Sequence, residues 1–228
     1  MSILADQAQS LLKTDSDLFG LVLDFNKDIG RYIHPSHFLE IPHPVVQTIL
    51  DSQRSADRFS QKILSHFKLS DSYTFDFSNK HYRMALLDAQ TLKNLSLYAG
   101  ATIYSAELKT IIKKEKVSEL RLFLSEKIYS FAIKKTMLFL RYAPPREVLA
   151  PEPIDIRDKI SQAGLICLKI CLSGAPSAIL DRFKLKFPAS TDWNFPKNPT
   201  EELRVKTFSL LSKLLSREMK SPFVSCLS

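Results

Sequence analysis

The chain has 228 residues, 45% of them apolar, with 32 Lys and Arg against 24 Asp and Glu, giving a formal charge of +8 and a pI near 9.3. That length and apolar content suffice for a continuous core, and only 5 glycines argue against a turn-rich β fold, so a mainly α, irregular multi-helix globular domain with at most a few short strands is expected. MSILADQAQSLLK has no basic segment followed by a long apolar run, and the longest near-apolar stretch, AGLICLKIC, is far below the ~20 residues that span a bilayer; neither a signal peptide nor a spanning helix is expected.

From the N-terminus, Ala5 to Leu12 reads as a short helix, and DLFGLVLDFN (Asp17 to Asn26) as a buried helix or strand. Pro44 suits a first helical position, and Val45 to Phe67 follow helical spacing as one long helix or two broken near Ser55. Ser70 to Arg83, rich in turn formers with alternating aromatics, reads as a loop with a brief strand at most. Asp88 to Tyr142 is helical almost throughout. Ser118 offers a cap there, and Leu120, Phe123, Leu124, Ile128, Phe131, Leu138 and Leu140 form an apolar stripe.

PPREVLAPEPID (Pro144 to Asp155) is a stiff connector. It divides a single 1–228 domain, if anything does, into parts 1–143 and 154–228. The next helix stops at Gly174, and Pro176 opens a short one. Phe183, Leu185 and Phe187 alternate with Lys184 and Lys186, the period of a half-buried strand. In the last helix Asn198 or Thr200 can cap, Glu201 and Glu202 suit the N-terminus, and Leu203, Phe208, Leu211, Leu214 and Leu215 form one face.

Three of the five histidines, His34, His37 and His43, fall within RYIHPSHFLEIPHP with Glu40 between them, so a metal centre and hence a metal-dependent enzyme is one reading. Pro35, Pro42 and Pro44 oppose a shared regular element, and turn and capping roles are the simpler reading. Cys167 and Cys171, four apart in an apolar helical run, point to inert buried thiols, and with Cys226 they make an odd number suited to a reducing cytosol. Lys109, Lys113, Lys114 and Lys116 surround a turn; a solvated face is the simpler reading and docking of an acidic protein the leading functional one. Phe123, Tyr129 and Phe131 nearby read as core rather than as base-stacking platforms, so nucleic-acid binding is the alternative. No glycine-rich phosphate loop, nucleophile elbow or His-Glu-x-x-His helix occurs, and no catalytic residue, metal or cofactor is assigned.

DFNKDIGRYIHPSHF resembles the N-terminal signature of the SctK (YscK/PscK) family, with Phe25, Asn26, Tyr32, His34, Pro35 and Phe38 at the matching positions. The likeness continues through LSLYAGATIYSAELKTII, QAGLICLKICLSGAPSAILDRFKLKFP and a C-terminal amphipathic helix, from about Leu23 to Met219. The Lys-rich surface, and Lys27, Asp28 and Gly30, depart from typical members. The resemblance implies a mainly helical, non-enzymatic adaptor of the type III secretion sorting platform. It would be cytoplasmic and peripheral at the inner membrane. It would link SctQ-type pods, with SctL and the ATPase, to the cytoplasmic domain of the SctD ring protein, without nucleic acid or membrane insertion. The bottom-up reading of the signature is architectural. Tyr32 and Phe38 bury aromatic area, Pro35 fixes chain direction and His34 hydrogen-bonds the turn.

Overall fold

The computed structural model describes residues 3–38, 41–146, 155–194 and 199–227; among them no strand forms. The helices are α1 (Ile3–Thr14), α2 (Ser16–Lys27), α3 (Ile29–Tyr32), α4 (His43–Asp51), α5 (Gln53–His66), α6 (Ala89–Ile103), α7 (Ser105–Thr110), α8 (Lys114–Lys134), α9 (Ile156–Cys171), α10 (Ser177–Lys184) and α11 (Glu201–Leu214), joined in places by 3-10 turns. They form two compact units. The first contains residues through Ala89 and Gly174–Trp193, the second Gln90–Ser173 and Asn194–Leu227. Most of the Pro144 to Asp155 connector, and Asn198, lie outside the described residues.

In the first unit, Asp15 ends α1 and caps α2, its carboxylate accepting from the Leu18 N–H at 2.9 Å. This settles the Asp17 to Asn26 stretch as helix, with Leu18, Val22, Phe25 and Asn26 on its buried face at spacings near one turn. The Val45 to Phe67 stretch is two helices, and the break falls at Ser52 (φ −105°, ψ 122°), three residues before the expected Ser55. α5 buries Ala56, Ser60, Ile63 and Leu64, and α3 packs on it. Gly30 makes that approach possible: its N–H donates to Ser60 Oγ at 3.1 Å, and a Cβ there would meet Phe59 Cδ1 and Ser60 Oγ at 2.9 Å. Ile29, Ile33, Ile63, Leu64, Leu69 and Leu185 make the core, with Tyr32, Phe38, Phe59 and Phe67 against it.

The half-buried strand expected at Phe183 to Phe187 is not present. Gly174 ends the preceding segment at φ 81°, Pro176 caps α10, and the chain stays helical to Lys184 before turning at Leu185. Alternating apolar side chains were the signal for a strand, but Lys186 points inward, 4% exposed, so the period-2 reading assigned it to the wrong side.

In the second unit, α6 is buried without a break from Leu97 to Ile103 and crosses α9 at two glycines. A Cβ on Gly100 would run into the Ile160 backbone carbonyl, and one on Gly164 into that of Ser96. α11 packs on α9, capped by Thr200, whose hydroxyl accepts from the Leu203 N–H at 3.2 Å, with Glu201 and Glu202 in its first turn. Its buried residues are Thr207, Leu210, Leu211 and Leu214, followed by Leu215, while Leu203 and Phe208 are only half-buried. The expected Ser118 cap is also corrected. Lys113, extended at ψ 124°, precedes the first residue of α8, and Ser118 lies within the helix. α8 is kinked at Ser125 (φ 68°, ψ 155°), and its regular register stops at Lys134. Beyond it the backbone tightens into 3-10 turns at Thr136–Leu138 and Leu140–Tyr142, which turns Leu138 and Leu140 outward, away from the stripe they were expected to extend.

Candidate functional site

Of the six signature residues, Phe25, Tyr32 and His34 meet the segment just after α10, at Leu185 and Lys186, while Asn26 and Phe38 make their contacts elsewhere in the first unit. Asn26, fully buried, donates from Nδ2 to the Val22 carbonyl at 2.9 Å and the Thr74 carbonyl at 2.7 Å, and its Oδ1 accepts from the Thr74 N–H at 3.3 Å. A side-chain amide uses both its faces here to tie α2 to the loop after α5. Phe25 and Tyr32 stack at 5.9 Å between centroids and 12° between planes, and the Tyr32 hydroxyl donates to the Phe25 carbonyl at 2.6 Å. Phe38 meets Phe59 edge-on at 5.7 Å.

The paired rings of Phe25 and Tyr32 face a cation. Lys186 Nζ lies 5.1 Å and 4.8 Å from their centroids and donates to the carbonyls of Ala85 at 2.7 Å and Leu87 at 2.6 Å. Those carbonyls end the 3-10 turn Tyr82–Leu86, where helical carbonyls lack partners and a cation is favourable. One turn earlier on α10, the fully buried Arg182 donates from Nη1 to the carbonyls of Ser72 and Ala178 and from Nη2 to that of Leu69, with its guanidinium 5.5 Å from the Tyr73 ring. Two cations four residues apart, Arg182 on α10 and Lys186 just beyond its end, thus gather two separate loops onto this segment. Sequence reasoning missed both. The available signal was the i,i+4 spacing of Arg182 and Lys186, matched by Phe183 and Phe187, which lie 5.1 Å apart against Trp193.

The His-Pro turn is stitched to the segment after α10. The His34 N–H donates to the Leu185 carbonyl at 2.7 Å, His37 Nε2 bonds the Phe187 carbonyl at 2.9 Å, and the Ala189 N–H donates to Ser36 Oγ at 2.8 Å. His34 Nδ1 accepts from the Ser36 N–H at 3.2 Å and lies 2.9 Å from the Ser36 hydroxyl, capping the 3-10 turn that Pro35 opens. Among the described residues no group of three His, Cys, Asp or Glu is placed to hold a metal. Glu40 and the His43 side chain lie outside the described residues. His34→Ala is expected to cost about 1 kcal/mol, the usual worth of a cap, in urea unfolding, with no change in metal content by elemental analysis. A stoichiometric metal present in the wild type and lost in the variant would overturn the capping role.

Cys167 and Cys171 line the buried face of α9; burial pushes the Cys167 thiol up to about 12 and Cys171 higher still, so neither is a thiolate at neutral pH. Among the described residues no helix is long and apolar enough to cross a membrane.

Charge is unevenly divided. The second unit's residues hold 20 of the 32 Lys and Arg and 11 of the 24 Asp and Glu, a net +9, whereas the remaining 12 and 13 leave the first at −1. Lys109, Lys113, Lys114 and Lys116 are all exposed in the second unit, at the end of α7 and the start of α8, around an Ile112 that is 87% exposed.

The family model described as YOP proteins translocation protein K (YscK) matches residues 22–226. Neither a curated protein nor a solved structure matches the chain. The matched span includes all six signature residues, the buried Arg182 and Lys186, and the glycine crossing of α6 and α9, and the chain belongs to the YscK family, the SctK proteins of type III secretion systems.

Proposed function

We propose that this chain is a non-enzymatic adaptor of the type III secretion sorting platform, joining an SctQ-type pod protein to the cytoplasmic domain of an SctD-type inner-membrane ring protein. In this reading it is cytoplasmic and peripheral at the inner membrane, and it needs no cofactor, nucleic acid or membrane insertion. The observation that carries it is the concentration of positive charge in the second unit, with Lys109, Lys113, Lys114 and Lys116 exposed around Ile112 as a docking face. Clustered cations around an exposed apolar residue suit an acidic protein surface, through steering that salt screens. Nucleic acid is the poorer partner. Its binding draws on exposed rings for base stacking, whereas Tyr129 and Phe131 are buried and Phe123 half-buried.

The test is co-purification with the pod protein and the ring protein's cytoplasmic domain, followed by affinity against salt. Lys113→Glu with Lys114→Glu is expected to weaken one of the two complexes roughly tenfold at low salt, the difference shrinking as salt rises. A folded wild-type protein that binds neither partner at any salt would overturn the adaptor reading.

A further inference from the structure

A linker between two partners needs two faces, and the α7–α8 turn supplies one. At the other end of α8 stands a second surface of different construction. The 3-10 turns after Lys134 bury Thr136 and Phe139 and leave Met137 72% exposed, Leu138 62% exposed and Leu140 also outside. These are ordered positions. The Phe139 N–H donates to the Thr136 carbonyl and the Tyr142 N–H to that of Phe139, each at 2.9 Å, and the Phe139 ring lies 5.4 Å from Phe131 in the core. The apolar side chains are therefore presented on a fixed backbone, which lowers the ordering cost of binding.

Their rim is cationic. Arg141 and Lys213 both lie over the Tyr142 ring, at 4.6 Å and 4.9 Å from its centroid, so two positive groups from separate elements converge on one aromatic. Exposed Lys134 adds a third, and none of the three makes an ion pair among the described residues. Lys135 by contrast is bound to Glu218 at 3.0 Å.

We infer that Met137, Leu138 and Leu140, rimmed by Lys134, Arg141 and Lys213, form a second docking face for a protein segment that sets acidic side chains around apolar anchors. An apolar centre with a polar rim is the anatomy of a protein interface, and three cations without an ion pair among the described residues supply the complementary charge. Anionic membrane is the weaker fit, since lipid-binding clusters gather roughly 4–8 basic residues. Nucleic acid is weaker again, because Arg141 and Lys213 occupy the face of Tyr142 that a base would stack on. The two faces lie at opposite ends of α8, whose 21 residues span at most about 30 Å at 1.5 Å per residue. The identity of the partner rests on the adaptor reading; the chemistry of the face does not.

The experiment measures binding of the full chain to the pod protein, to the ring protein's cytoplasmic domain, to phosphatidylcholine vesicles containing phosphatidylserine, and to duplex DNA. Two variants are compared with the wild type: Met137→Asp with Leu138→Asp, and Arg141→Glu with Lys213→Glu. Met137 and Leu138 are exposed, so unchanged helical circular dichroism and melting are expected for the first. Both variants are expected to lose at least about tenfold in affinity for the same one of the two proteins, as central interface residues do, and to keep the other. The charge reversal should also flatten the salt dependence. Lys113→Glu with Lys114→Glu should affect the opposite protein. Wild-type affinity of both variants for both proteins, or a loss confined to vesicles or DNA, overturns the second face while leaving the adaptor standing. A wild type that binds neither protein overturns the adaptor reading and the occupant assigned here together.

Discussion

Gly100→Ala and Gly164→Ala should each unfold or severely loosen the second unit. Ser96 and Gly100 are one turn apart on α6, Ile160 and Gly164 one turn apart on α9, and each glycine lies against the carbonyl of the opposite helix's other member. The crossing is reciprocal, so the two backbones touch twice. A methyl group at either position overlaps main-chain atoms, and no side-chain rotation can relieve that; the helices must separate, opening gaps around Leu95, Tyr98, Ile160 and Cys167, all buried. Overpacking in a core typically costs about 1–3 kcal/mol and more where backbone obstructs it, so about 3 kcal/mol or more is expected, a large share of a stability of roughly 5–15 kcal/mol. Urea unfolding of the two variants gives the number. Gly20→Ala is the control: it is also inside a helix, α2, but a Cβ there meets nothing within 4 Å. Relieved of glycine's backbone entropy, that variant should gain about 0.5–1 kcal/mol. Gly100→Ala at wild-type stability would show that the crossing is not as close as the structure places it.

Those glycines show what the sequence could and could not disclose. LSLYAGATI and QAGLIC are among the segments that carry the family likeness, and each contributes an Ala-Gly pair to the crossing, yet nothing in either segment alone says that the other is its partner. Helix starts were legible where a single residue sets them, Pro176 before α10 and Thr200 before α11, whereas α9 stops at Cys171, three residues short of the left-handed Gly174 expected to end it. They were not legible at α8, where Lys113 to Lys116 extend the helix without a cap and Ser118, a good capping residue, is simply a helical one. Leu138 and Leu140 continue the apolar pattern of α8 in sequence, but the change to three residues per turn after Lys134 rotates them to the surface. An apolar stripe is evidence of burial only while the helical period holds.

The turn built by the signature was legible in the sequence, and the segment it docks on was not. Clustered histidines admit a metal or a turn; the His34–Ser36 bonds belong to the turn itself, while Leu185, Phe187 and Ala189, some 150 residues away, partner the His34 N–H, His37 and the Ser36 hydroxyl. Likewise a lysine in RFKLKFP reads as solvated because an isolated buried ammonium is costly. The groups that offset that cost belong to Ala85 and Leu87, about 100 positions earlier in the chain.

That burial leaves a measurable trace in the pH dependence of stability. Lys186 carries its ammonium into the core, and burial lowers its pKa to about 7 from 10.5, with Asp88 opposing. Between those values the unfolded chain binds the proton and the folded chain does not, so stability rises with pH across that window. The buried thiols act in the opposite sense. Cys167, raised from 9.0 to about 12, and Cys171 and the Tyr32 phenol, also raised by burial, stay protonated when folded, so above about pH 9 the unfolded chain loses protons first and stability falls. Wild-type stability should climb by about 2 kcal/mol between pH 7 and 9 and then turn over. In Lys186→Met the climb should vanish while the fall above pH 9 remains. The same variant strips the Ala85 and Leu87 carbonyls of their donor, so at pH 9 it should lie about 2 kcal/mol or more below wild type, the gap narrowing toward pH 7 as the wild type takes on the buried charge. Urea unfolding at intervals from pH 6.5 to 10, under reducing conditions, measures both profiles. Parallel curves for the two proteins would mean that Lys186 keeps an ordinary ammonium in the folded state, held by its two carbonyls and the Phe25 and Tyr32 rings strongly enough to cancel its burial.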